Sequence, residues 1–452
     1  MRVACVRVDG LERIVGAGYV ERDVVVGDAA VAGTAARALV RPGSAREVAA
    51  VVAWCYERDV PIVPVGGRSG LAGGAAVLNR VAVAIALDRL HVVRDFKPLL
   101  WRMEAEAGVT THTIARLARE SGLLFPPDPG APEQSQLGGT IATNAGGPHS
   151  FKYGVTGDWV TGIDAVLAPG ELVRVGGAVR KDVAGYDLRA LLCGSEGTLG
   201  IVTAAWLRLV PAPEAQLPVL ASYPDTATGC SAIARVLGSG IAAAVLEYVD
   251  AVAARLVGPA FEDRSVRGFA VLAEADGAAA EARRVRAELV EALSGGADAV
   301  HAPQDAAGIR ALWRWRAGVS HAASAARGTK LSEDVAVPLD RLAEAIEEVL
   351  AIGAHHGLEA CSWGHAGDGN LHATFLLDPG DAAQRARADV AAGEVFDLAL
   401  RLGGTVSGEH GIGVLKRGQL SRQWPPAAVA AHRAIKAALD PKGLFNPGKK
   451  EP

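Results

Sequence analysis

Residues Val63–Gly74 read VPVGGRSGLAGG, five glycines in twelve positions directly after a short apolar run. A loop this poor in Cβ atoms lets successive backbone N–H groups point at an anion with no side chain in the way. It is not a nucleotide-triphosphate loop, because no Gly-Lys-Ser/Thr closes it, and it lacks the GxGxxG spacing of a dinucleotide helix. Alone it is as compatible with a mobile turn as with a phosphate cradle.

Two more glycine-rich stretches shift that balance. Pro126–Gly130 (PPDPG) leads into Gln136–Gly147 (QLGGTIATNAGG), and Lys181–Leu188 (KDVAGYDL) runs on to Gly194–Ile201 (GSEGTLGI). Ala45–Arg58 has apolar residues at helical spacing. Pro61–Pro64, Val81–Leu87 and Ile201–Val210 read as strands. Three glycine loops beside strands could line one extended ligand, such as a dinucleotide.

This set resembles the FAD-binding domain of the vanillyl-alcohol oxidase / p-cresol methylhydroxylase (PCMH) superfamily. The resemblance implies that Pro64, Gly66, Gly67, Arg68, Ser69, Gly70 and Leu71 wrap the pyrophosphate. It places Gly138, Gly139, Thr143, Asn144, Gly154, Glu196, Gly197 and Ile201 along the rest of the flavin. Some relatives tether the flavin to a histidine in the first loop; here Arg68 and Ser69 stand there, so FAD is expected to bind non-covalently.

The chain has 452 residues, half of them hydrophobic and 21% charged, with a net charge of −4 free of long single-sign runs. That size predicts two or three domains, and the charge gives no reason to expect a nucleic-acid partner. Cys5, Cys55, Cys193, Cys230 and Cys361 are scattered without a CxxC pair, which suits a reduced compartment and excludes the common iron–sulfur spacings. Asp9, Glu12 and Arg13 fall where a secretion signal needs an apolar core, and no run is long enough to span a bilayer. A cytoplasmic protein, at most peripheral to the membrane, is the expectation. Pro211-Ala-Pro213 marks a boundary, beyond which Ala278–Leu293 and Leu339–Ala354 read as amphipathic helices.

Further on, Trp363–His372 (WGHAGDGNLH) reads strand, polar turn, strand, with Asp368-Gly369 as a hairpin signal. A hairpin could bring His365 and His372 to one face, but two histidines are an incomplete metal site. Ser407–Gly413 (SGEHGIG) offers Glu409 and His410; adjacent residues on an extended chain point apart, so only one of them should be a ligand. Taken separately, each stretch is more often ordinary packing or loop.

Together, and behind this kind of FAD domain, GHAGDGNLH and SGEHGIG resemble the FAD-linked D-2-hydroxy acid dehydrogenases acting on D-lactate, glycolate or D-2-hydroxyglutarate. The resemblance runs from about residue 35 to Leu439–Gly448 (LDPKGLFNPG). It implies an α+β chain: a two-subdomain PCMH-type FAD-binding domain (1–212), a ferredoxin-like α/β cap holding substrate and metal (213–425), and a C-terminal segment (426–452) returning to the FAD domain. His365, His372 and Glu409 would bind zinc or manganese, and His410 would be the catalytic base taking the hydroxyl proton as hydride leaves C2 for flavin N5. Arg316 and Lys330 would meet the substrate carboxylate. The dicarboxylate enzymes carry an Asn where Thr374 stands, which weakens the case for D-2-hydroxyglutarate. The electron acceptor would be a quinone, a cytochrome, an electron-transfer flavoprotein or a partner subunit, and base rates favour a homodimer. The rival readings are a flavin subunit of a multi-chain glycolate oxidase, a non-redox enzyme like alkyl-dihydroxyacetone-phosphate synthase, and a zinc hydrolase; the last leaves the glycine loops unexplained.

Overall fold

Val48, Val51, Val52 and Cys55 recur at helical spacing, and Ser44 accepts a hydrogen bond from the Glu47 amide at the start of the run. Those two signals make helix Ala45–Glu57, which buries its apolar stripe and carries the chain between strands of one sheet. In the computed structural model, residues 8–260 and 268–452 are described. They divide into one unit of residues 8–147, 154–212 and 410–452, and a second of residues 148–153, 213–260 and 268–409.

The first unit has two main sheets. One runs Val20–Val26, Thr34–Val40, Val83–Ala86, Ile62–Val65, with the last two parallel. The other is antiparallel, in the order Val93–Lys97, Arg102–Glu106, Ile201–Arg208, Val160–Leu167, Glu171–Gly176. The C-terminal segment closes the first sheet: Phe445 is fully buried and bridges to Ile62. Its turn is held by Asp440, whose carboxylate accepts from the amides of Leu444 (3.0 Å) and Phe445 (2.8 Å), from the Tyr56 hydroxyl and from Lys436.

The second unit is one antiparallel sheet of seven strands. Its order is Ala299–His301, Ala215–Tyr223, Phe269–Gly277, Val245–Val249, Ala360–Gly364, Asn370–Leu377, Thr329–Ala336. Val249 lies opposite Trp363, Trp363 opposite His372, and His372 opposite Asp334. Side chains alternate along a strand, so Glu247 shares that face with His372 and Asp334, and so does Glu274 opposite Val245. Helices Ala251–Val257 and Ala306–Arg327 cover the face with an apolar cluster that includes Val249, Leu272, Leu312, Trp315 and Trp363. Its polar residues are thereby shut away from water.

The chain passes from the first unit to the second after residue 212, at Pro211–Pro213, and two further limits lie elsewhere than at 426. The return to the first unit begins at 410, not 426, inside a glycine loop that carries no proline. Residues 148–153 belong to the second unit, because its buried acids hold them. His149 Nε2 lies 3.1 Å from Glu274, the Tyr153 hydroxyl donates to Asp276 at 2.5 Å, and Lys152 pairs with Asp276. The helix expected over 339–354 starts as a 3-10 turn and becomes α-helical at Leu342–His355. Cys55, Cys193, Cys230 and Cys361 are free thiols, and Cys5 lies outside the described residues. Among the described residues no helix is long and apolar enough to cross a membrane.

Replacing Asp440 by alanine strips four donors of one buried acceptor. Urea unfolding of Asp440→Ala should show a loss of at least about 3 kcal/mol, since each buried donor left without a partner costs roughly 1–3 kcal/mol.

Candidate active site

In the first unit the three glycine stretches pack on one another. A Cβ on Gly67 would sit 1.8 Å from the Gln134 carbonyl, and one on Gly138 would sit 2.8 Å from the Ala107 side chain. One on Gly197, whose φ is +69°, would meet Pro64 at 2.9 Å. These glycines are required by loop-to-loop contact. Gly139 instead opens onto free space, and Gly66 lies across from it. Ser69 Oγ and Ser135 Oγ are 2.9 Å apart, and Gln134 donates to the Gly67 carbonyl at 2.8 Å, so the first loop is tied to the second. Arg68 (φ 57°) and Asn144 (φ 51°) take left-handed backbone, and Asn144 Oδ1 accepts from the Gly157 amide at 2.7 Å. Thr143 caps back to the Gly139 carbonyl, and Gly154 has φ +76°. Ile201 is buried in its strand.

This cradle fits FAD. It is rich in backbone, open along Gly139, and flanked by Gln136, whose buried Oε1 has no hydrogen-bond partner. Sequence reasoning passed over Gln136 because it lies just outside the glycine run. Glu196, expected along the flavin, has its carboxylate committed to protein: it accepts from the amides of Ile412 (2.9 Å) and Gly413 (2.6 Å) and pairs with Lys450. The backbone that follows His410 is therefore fixed by Glu196.

In the second unit the hairpin forms as read. His365 ends strand Ala360–Gly364, and His372 lies in strand Asn370–Leu377. Gly369 turns the chain at φ +66°, where a Cβ would collide with the Val337 carbonyl at 2.1 Å. Glu409 Oε1 is 3.2 Å from His365 Nε2 and 3.5 Å from His372 Nε2, and both histidines are buried. One ligand atom from each of the three lies within 4.8 Å of the others, a spacing that one divalent ion can bridge. Two imidazole nitrogens and a carboxylate suit zinc or manganese. His410, the next residue, opens the segment that belongs to the first unit.

The loop carrying Glu409 is anchored by a residue the sequence did not single out. Asp334 accepts from the Glu409 amide and from Ser407 Oγ, each at 3.0 Å, and from Asn370 Nδ2 at 2.6 Å. Gly408 sits so close that a Cβ there would fall 1.9 Å from Asn370 Nδ2.

Arg316 and Lys330 are both engaged. Helix Ala306–Arg327 buries Leu312, Trp315, Val319 and Ala323, and Arg316, four residues after Leu312, joins that stripe and faces the sheet. Its guanidinium binds Glu247 through Nε at 2.7 Å and through Nη2. The other oxygen of Glu247 lies 2.5 Å from His365 Nδ1. Burial raises the Glu247 pKa, but Arg316 and His365 outweigh it and leave the carboxyl below its ordinary range. Burial would lower His365, yet Glu247 and Glu409 hold it well above the usual imidazole value. Lys330 donates to the Ser320 carbonyl (2.7 Å) and hydroxyl (2.6 Å) and lies over the Trp363 ring; burial lowers its pKa to about 8. His149 stacks on Trp313 against Glu274.

Gly408→Ala should push the Glu409 loop off Asp334. If His365, His372 and Glu409 hold zinc, its affinity measured by chelator competition should fall by at least about tenfold, the scale seen when supports of metal ligands are lost. The thermal melt of the ion-free protein should drop as well, because the buried Asp334 carboxylate loses donors.

The family model for the FAD binding domain matches residues 36–176, and the one for the FAD linked oxidases, C-terminal domain, matches residues 212–450. The chain is 34% identical to glycolate oxidase subunit GlcD of Bacillus subtilis (91% of this chain, 88% of that one). It is 34% identical to a probable mitochondrial D-lactate dehydrogenase of Danio rerio (91% and 83%). It is 35% identical to D-2-hydroxyglutarate dehydrogenase of Xanthomonas citri pv. viticola (91% and 88%). Among solved structures, p-cresol methylhydroxylase aligns with a TM-score of 0.81 at 17% identity over 98% of this chain and 95% of its own. An alkyldihydroxyacetonephosphate synthase aligns at 0.72 and 20% over 91% and 76%; at such identities the likeness is one of fold. Two domain matches across the chain and relatives above 30% identity make this protein a member of the FAD-linked D-2-hydroxy acid dehydrogenase family, an FAD-dependent oxidoreductase.

Proposed function

We propose that the protein oxidises a small monocarboxylic D-2-hydroxy acid, D-lactate or glycolate, to the 2-oxo acid. The observation that carries the reading is the convergence of His365, His372 and Glu409 on one buried point of the cap sheet, with His410 next in the chain. In this reading His365, His372 and Glu409 hold a zinc or manganese ion. Such an ion supplies Lewis acidity, which favours the alkoxide form of a hydroxyl placed against it. FAD in the glycine cradle supplies the two-electron acceptor for the hydride from C2.

The chain's own residues do the rest. His410 takes the hydroxyl proton at an imidazole nitrogen, so the substrate loses one hydride and one proton and the 2-oxo acid remains. Glu196 limits the freedom of the His410 loop by gripping the amides of Ile412 and Gly413. Asp334 does the same for Glu409. The covering helices exclude water from the ligand face, which strengthens every charge interaction there. The reduced protein then passes its electrons to a quinone, a cytochrome, an electron-transfer flavoprotein or a partner subunit.

Support for a monocarboxylate comes from the engaged cations. Arg316 is bound to Glu247 and Lys330 to Ser320, and neither is held out for a second carboxylate. Thr374, which replaces the Asn of the dicarboxylate enzymes, spends its hydroxyl on Ser332 at 2.8 Å.

Anaerobic addition of D-lactate or glycolate to the purified flavoprotein should bleach the visible flavin band, with L-lactate inert. A chelator should abolish bleaching, and zinc or manganese should restore it. His410→Asn should slow reduction by about 10²–10⁴-fold with flavin content unchanged. Bleaching by D-2-hydroxyglutarate alone would overturn the monocarboxylate assignment, and bleaching by none of these acids in metal-loaded protein would overturn the redox reading.

A further inference from the structure

Glu247 sits in an apolar strand, Val245–Val249, every residue of which is buried. A carboxylate shut in this way needs its charge answered and its oxygens filled, or it costs several kcal/mol. Both conditions are met by two residues distant in sequence. Arg316, on helix Ala306–Arg327, binds one oxygen through two nitrogens. His365 Nδ1 lies 2.5 Å from the other. Arg316 is itself only 9% exposed, so the whole chain of contacts lies out of water.

The consequence for His365 is directional. A neutral imidazole that donates from Nδ1 to a carboxylate keeps its lone pair on Nε2, the form an ion would select by displacing any proton there. Nε2 is the atom 3.2 Å from Glu409. Two nitrogens of the Arg316 guanidinium, Nε and Nη2, are taken up by Glu247.

We infer that Glu247 is a positioning residue for the metal site: pinned by Arg316, it fixes the tautomer and ring orientation of His365 so that Nε2 is presented to the ion. This rests on the metal reading above. Carboxylates that hold the far nitrogen of a ligating histidine commonly contribute 10–100-fold to metal affinity. Arg316 serves the same end one step further back, by holding the carboxylate in one orientation through two nitrogens.

The test is zinc affinity of the ion-free, FAD-loaded protein, by competition with a chromophoric chelator, for wild type, Glu247→Gln and Arg316→Lys. Wild type should bind one zinc ion. Glu247→Gln, which keeps the shape and loses the charge, should bind it 10–100-fold more weakly. Arg316→Lys, which keeps the charge and loses the two-nitrogen grip, should bind it several-fold more weakly, a smaller loss than Glu247→Gln. Equal affinity in wild type and Glu247→Gln overturns the inference and leaves the metal site standing. Absence of zinc and manganese binding in wild type overturns both. If Glu247→Gln does not fold, as judged by its melt and flavin content, the question goes to wild type directly. In ¹⁵N spectra of zinc-loaded protein labelled at histidine, His365 must be bound through Nε2 with Nδ1 protonated, and a zinc-bound Nδ1 overturns the inference.

Discussion

A carboxylate without water, Glu247, is the constraint on which the rest of the candidate site depends. Strand Val245–Val249 carries it into a layer sealed by helices Ala251–Val257 and Ala306–Arg327, so its charge must be answered from within the protein. Arg316 answers it, and that fixes where the long helix lies on the sheet. Substituting such a pair by well-packed apolar residues often leaves stability unchanged or raises it, whereas removing one partner costs about 3–5 kcal/mol. The pair is therefore poorly explained as a stabilising device. Its distinguishing output is the contact to His365, which gives one imidazole a single useful nitrogen.

Register does the remaining positioning. His372 and Asp334 face each other across adjacent strands, and a slip of one residue would turn both to the opposite side of the sheet. Two glycines hold the register where side chains could not fit. Gly369 makes the turn between the histidines, and Gly408 lets the Glu409 loop lie flat against Asn370. Asp334 then plays for Glu409 the part that Glu247 plays for His365. Two of the three candidate ligands thus have a buried acid behind them, Glu247 acting through the His365 side chain and Asp334 through the Glu409 amide.

How much of this could be read from the chain depended on how local the signal was. His365, His372 and Glu409 stood out because histidine and glutamate between glycines are chemically conspicuous over a few residues. Glu247 did not: LEYVD looks like any strand, and the feature that distinguishes it, Arg316, is far away in sequence. The charge of Arg316 was legible in the chain while its partner Glu247 was not. The same reasoning accounts for the domain limits. Pro211–Pro213 announces a break by composition, whereas residues 148–153 are assigned by the acids Glu274 and Asp276, whose burial no local pattern reveals. The helix Pro426–Leu439 has a strong start signal in Pro425-Pro426, whereas the return at His410 lies in a glycine loop with no such signal.

Charge bookkeeping links the buried acids to the class of substrate. Glu247, Glu409 and Asp334 bring three negative charges to a water-poor layer, and Arg316 answers one of them. His365, which burial would lower but Glu247 and Glu409 hold above the usual imidazole value, answers a second when protonated. A divalent cation at the imidazole nitrogens would take the place of that proton, and a substrate with two carboxylates would need a further cation to come forward from the protein. Lys330 is poorly placed to do so. Burial has already pulled its pKa down to about 8, and its ammonium is spent on Ser320 and the Trp363 face. At neutral pH it remains mostly charged, but freeing it would cost two short hydrogen bonds.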